Sequence, residues 1–162
     1  DQDHSAANEA QLLSPATRAV TAIKYRVMKK VIQSGIVASA VLLLFAFLCL
    51  LLLPLLLPAV AEAYYSPAFV NDETRNAFYY VQPVVLAFAL AWFWNRFKDV
   101  FEGNLFLRGV EMGLVYLIIA TLPGMVLIYS ALDVSISVVG TWILYGFMQA
   151  TIAGLIFARL HV

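Results

Sequence analysis

Apolar and polar positions separate along this chain into long blocks. Four mainly apolar runs, at about 34–58, 78–95, 107–131 and 138–158, are divided by short polar links. About 20 apolar residues carry a helix across a hydrocarbon core of roughly 30 Å, so each run predicts a transmembrane helix. The first run is nearly pure Leu, Val, Ala and Phe, with Cys49 inside it and Pro54 and Pro58 at its far end. Short links force neighbouring helices to be antiparallel. The predicted fold is all-α: a polytopic membrane protein with four transmembrane helices in an antiparallel bundle.

A different pattern precedes the first run. Residues 1–13 are polar and without periodicity, and read as a flexible cytoplasmic tail. Ser14-Pro15 is a helix start, with Ser capping and Pro in the first turn. From there to residue 33, Val20, Ile23, Val27 and Val31 recur at near-helical spacing among Arg18, Lys24, Arg26, Lys29 and Lys30. This is a basic amphipathic juxtamembrane helix, expected to lie on or rise from a lipid surface. Each basic residue near anionic headgroups contributes about 1 kcal/mol.

Tyr64, Tyr65, Tyr79 and Tyr80 flank the acidic loop after span one, and Trp92, Trp94 and Arg96 mark the opposite interface. The helix of span two is expected to run on through Phe97, Val100 and Phe101 to a cap at Gly103, with Asn104 opening the next helix. Nine of the ten basic residues, all but Arg75, fall on the side of the two termini. Both ends are therefore expected in the cytoplasm, and the short loops suit a bacterial inner membrane.

Two hairpin registers follow. A turn at Gly103-Asn104 sets Arg96 opposite Glu111 and Asp99 opposite Arg108, predicting two interfacial ion pairs. A turn near residue 135 sets Gly124 opposite Gly146, Ala120 opposite Ala150 and Tyr116 opposite Gly154. Span four carries Gly146, Ala150, Gly154 and Ala158 in a four-residue series, and span three adds Gly109 and Gly113. Helix association in lipid depends on close backbone approach, so these small residues predict a packing or docking face.

Composition narrows the function. Of 162 residues, 63% are hydrophobic and 12% charged, against about half and a quarter in a soluble domain. Ten basic residues balance ten acidic ones, so no net field attracts a nucleic acid. One cysteine excludes a disulfide framework, and no His pair lies in a span to hold a haem. No cofactor, metal or catalytic motif is read, and an enzyme is not expected. The candidate polar groups within the spans are Glu111, Gln149, Gln82 and Tyr116. The leading expectation is an accessory or scaffold subunit working through helix–helix contacts with other membrane subunits or with its own copies. The alternative is a homo-oligomeric small-solute transporter or channel lined by Glu111 and Gln149. A third, weaker reading is a lipid or quinone groove beside Trp92, Phe93, Trp94 and Phe97.

Overall fold

A computed structural model describes residues 15–66 and 72–160; the expected N-terminal tail lies outside them. The described chain is helical, with no strand among the described residues. Four helical stretches, Thr17–Leu56, Ala77–Phe97, Leu105–Ala131 and Ile136–Leu160, are long and apolar enough to cross a membrane.

Helix α1 covers Pro15–Leu56 without interruption. At 1.5 Å per residue its 42 residues extend about 63 Å, twice the hydrocarbon thickness. The basic segment and span one are thus one continuous rod. Residues 17–30 are exposed throughout, and burial begins around Val31 and Ser34. A short helix α2, Pro58–Ala63, follows the break at Leu57. Helix α3 spans Glu73–Phe97, with Pro83 buried inside it.

The extension of α3 to Gly103 does not form. The helix ends at Phe97, and residues 98–100 turn. The apolar stripe that suggested more helix is used otherwise. Phe101 folds back and stacks on Trp94, with ring centroids 5.1 Å apart and planes 8° from parallel. Gly103 takes a φ of 93° in the link, a conformation that costs glycine little. Asn104 then caps helix α4, Leu105–Tyr116, its Oδ1 accepting from Leu107 N–H at 2.9 Å as expected.

Span three is not a uniform helix. A π-helical turn at Leu117–Thr121 separates α4 from α5, Leu122–Ala131. Pro123 supplies the reason. Proline has no N–H and its ring crowds the carbonyl four residues back, so the preceding turn widens and Leu122 N–H reaches Leu117 O. Helix α6, Ile136–Leu160, completes the fold after an extended link.

The spans pair as α1 with α3 and α4 with α6, and α6 also touches both α1 and α3. The consecutive spans two and three meet through side chains, Arg108 over Trp94 among them, rather than by close backbone approach. Small residues decide this pattern. Ala38 and Ala46 of α1 and Ala87 and Ala91 of α3 are buried in the core, and the Gly35 backbone lies against the Phe88 ring. Between α4 and α6, an added Cβ on Gly154 would meet Gly109 Cα and O at 3.1 Å.

Candidate functional site

Four polar side chains of α3 and α6, with one carbonyl of α1, form a ladder across three helices. Gln149 on α6 is fully buried. It exchanges two hydrogen bonds with Gln82 of α3: Gln82 Nε2 donates to Gln149 Oε1 at 3.2 Å, and Gln149 Nε2 donates to Gln82 Oε1 at 3.3 Å. The second Gln149 amide proton goes to Tyr145 Oη at 3.0 Å. Tyr145 Oη lies 3.4 Å from Tyr79 Oη, which in turn donates to the Ala46 carbonyl of α1 at 3.3 Å. A carbonyl only accepts. With the Tyr79 proton committed to Ala46, the proton between the two phenols comes from Tyr145. Phe45 of α1 stacks on Tyr145 at 5.7 Å, closing the ladder on its α1 side. Sequence reading singled out Gln149 and Gln82 but not Tyr79, which it read as an interface anchor. Its signal was a tyrosine one turn before Gln82 on α3.

Gln82 differs from Gln149 in exposure. It faces outward and spends one of its two amide protons and one of its two oxygen lone pairs on Gln149.

Tyr116 and Ala120, also singled out, line an apolar groove between spans two and three. The groove holds about 300 Å³ and is walled by Leu86, Ala89, Trp92 and Phe93 on one side and by Met112 and Tyr116 on the other. Trp92 is 54% exposed at its rim, whereas Trp94, expected at the interface beside it, is completely buried against Phe101 and Phe157.

The small-residue face forms, but in a different register. Gly146, Ala150, Gly154 and Ala158 are buried, as are Gly109 and Gly113. Gly154 meets Gly109 rather than Tyr116, and Gly146 meets Thr121 and Tyr116 rather than Gly124. Ala120 is exposed, and a Cβ on Gly124 would find nothing within 4 Å. The predicted pairing assumed straight helices in contact along their length. Beyond the π turn, α5 buries none of its residues, so contact with α6 concentrates at the α4 end.

The basic groups of the two predicted ion pairs lie over indole rings instead. Arg96 sits 5.0 Å from the Trp92 ring centroid and Arg108 5.0 Å from that of Trp94. Arg108 Nη2 also donates to the Lys98 carbonyl at 3.3 Å, while its Nε is buried without a partner. The register behind those pairs required a helix through residue 103. With α3 ending at Phe97, Asp99 belongs to the turn rather than to a helical face. Glu111 is half-buried, next to Met112 of the groove wall. The basic residues Arg18, Lys24, Arg26, Lys29 and Lys30 are all exposed on the first half of α1.

On the far side, Trp142 Nε1 donates to Tyr64 Oη, tying the segment after α2 to α6. Burial pushes the Tyr64 phenol above its ordinary value, and the bond from Trp142 offsets part of that rise.

No family model matches the chain, and neither a curated protein nor a solved structure is found to be similar to it.

Proposed function

We propose that this chain is a non-enzymatic, multi-pass membrane protein that acts by contact, as an accessory or scaffold subunit of a larger membrane assembly. One observation carries the reading: the fully buried Gln149 and the two phenols beside it are bonded to groups of the chain itself, while the outward surface of the spans is apolar almost throughout. Gln149, Tyr145, Tyr79 and Ala46 O form one bonded chain. Outside, Leu44, Phe47, Leu51 and Leu55 of α1 and Ile118, Ile119, Val126 and Leu127 of span three are exposed. Such a surface suits lipid and helix neighbours.

The glycine face of span four is covered by span three, which leaves the outer face of α1 and the open side of spans two and three for partners. The distribution of basic residues favours both termini in the cytoplasm, and short loops favour a bacterial inner membrane. The alternative of a path lined by Glu111 and Gln149 has less behind it, because both Gln149 amide protons are engaged inside the bundle.

Purification from native membranes in mild detergent tests the proposal. The expected result is a particle larger than one chain in its detergent belt, of fixed composition. A monodisperse monomer with no protein partner, also in native membranes after cross-linking, overturns it.

A further inference from the structure

We infer that the half of α1 outside the bilayer is a docking site for an acidic amphipathic helix of another protein, seated on Val20, Ile23 and Val27. The inference rests on the proposal that this chain works by contact, and it names one such contact and the chemistry of the partner. Val20, Ile23, Val27, Val31, Ser34 and Ala38 follow one another along α1 at intervals of three, four, four, three and four. That spacing stays close to the helical period, so the six share one face that runs almost straight along the rod. The stripe has two fates. Ser34 and Ala38 are buried, and Val31 packs against the core that α1 forms with α3. Val20 and Ile23 are 62% and 63% exposed, and Val27 is 38% exposed. Helix α3 ends at Phe97, so the face it covers inside the bundle continues past it, uncovered.

A lipid surface is out of reach of this stripe. Helix α1 is uninterrupted from Pro15 to Leu56, so its outer half points where the span points. Residues 15–33 extend about 28 Å beyond the first apolar run. At a tilt of about 40°, the upper end for spanning helices, their tip still stands about 22 Å above the hydrocarbon. An apolar stripe held in water is matched by a partner helix with an apolar face of its own. Charge selects which partner. Lys24 borders one edge of the stripe, four residues from Val20 and three from Val27. Arg26 and Lys30 border the other edge, three residues from Ile23 and from Val27. No Asp or Glu occurs between Pro15 and Ala61. A second copy, parallel in the same membrane, would set these basic edges against each other, and like charges at flanking positions select against such a pair. A nucleic acid would meet the bases and leave Val20, Ile23 and Val27 in water. A helix with an apolar stripe edged by Asp or Glu answers both features.

Photocross-linking in native membranes tests the inference. A photoreactive residue in place of Ile23 should join to a different protein, and mass spectrometry of the adduct should identify an amphipathic segment edged with Asp or Glu. The same residue in place of Ala22, exposed but turned away from the stripe, should give far less. Lys24→Glu combined with Lys30→Glu should cut the adduct at position 23 about tenfold, as reversal of two flanking charges implies. Both lysines are exposed, so thermal unfolding of the bundle should be unchanged. A binding assay gives the second reading. In phosphatidylcholine vesicles the purified chain should bind a synthetic helix whose apolar stripe is edged with Glu, and not the same helix edged with Lys. The double variant should reverse that preference. An adduct at position 23 to lipid, to nucleic acid, to residues 1–13 of this chain or to a second copy overturns the inference. So do equal yields at positions 22 and 23, no adduct at 23, or a synthetic helix bound whatever the sign of its edges. An assembly that survives the double variant leaves the proposed function standing, whereas a lone monomer in native membranes overturns both.

Discussion

Gln82 and Gln149 hold spans two and four together through two reciprocal amide hydrogen bonds, 3.2 and 3.3 Å long. One partner is fully buried and the other faces outward, so the two removals leave different groups unmatched. Gln149→Leu deletes three hydrogen bonds and strips Tyr145 of its donor. A loss of about 1–3 kcal/mol is expected. Gln82→Leu deletes only two bonds but leaves the carbonyl and one amide proton of the fully buried Gln149 unmatched, so it should cost at least as much. The double variant should lose less than the sum of the two, with a coupling of at least about 0.5 kcal/mol. Thermal unfolding in detergent measures all three, and simple additivity would show that the amides do not interact.

Two glycines of span three and span four should respond in opposite directions. At Gly154 an added Cβ would lie 2.8 Å from Met112 Cβ and 3.1 Å from the Gly109 backbone. Backbone cannot rotate aside, so Gly154→Ala should destabilise by about 1–3 kcal/mol through overpacking. Gly124 has open space around it, and Gly124→Ala should be neutral or stabilise by up to about 1 kcal/mol, as helix propensity dictates. Melting temperatures of the two variants check this. The reverse order would restore the register in which Gly124 faces Gly146.

The two arginine–tryptophan contacts share one distance but differ in surroundings. Arg108 is half-buried over a fully buried Trp94, while Arg96 is exposed over an exposed Trp92. Desolvation strengthens a cation over a ring. Arg108→Met should cost about 1–2 kcal/mol and shift the buried tryptophan emission, whereas Arg96→Met should change unfolding by less than about 1 kcal/mol. Equal losses would mean that solvent does not separate the two sites.

Tyr64 ties the segment after α2 to Trp142, and its phenol titrates above the ordinary tyrosine range because it is partly buried. A raised value in the folded state means that this contribution to stability is complete below the unfolded value near 10. It declines as pH rises through the folded one. Tyr64→Phe should remove that decline above pH 10 and expose Trp142 Nε1 to solvent exchange, which hydrogen exchange at the indole would report. An unchanged alkaline decline would assign it to other groups.

Four apolar runs were legible in the sequence because a lipid-spanning helix must satisfy its own backbone and present apolar side chains for a fixed length. The same logic exposed Asn104 as a cap and the small residues of span four as a packing surface, since both properties belong to local chemistry. What local chemistry could not fix was where one helix stops against another. Phe101 fits a helical stripe and a folded-back plug equally well, and stacking on Trp94 chose the plug. With α3 cut short at Phe97, the register behind the predicted Arg96–Glu111 and Asp99–Arg108 pairs lost its basis, and indole faces took the guanidiniums. Pro123 widened the turn before it, and α5 diverged from span four, so Gly154 came to rest on Gly109 instead of Tyr116. The sequence by itself determined how many apolar helices there are and which residues can approach closely. Tertiary packing alone decided which helices pair, that a groove opens between spans two and three, and that Gln82 meets Gln149. Such choices depend on contacts between residues far apart in the chain, and no periodicity along one segment records them.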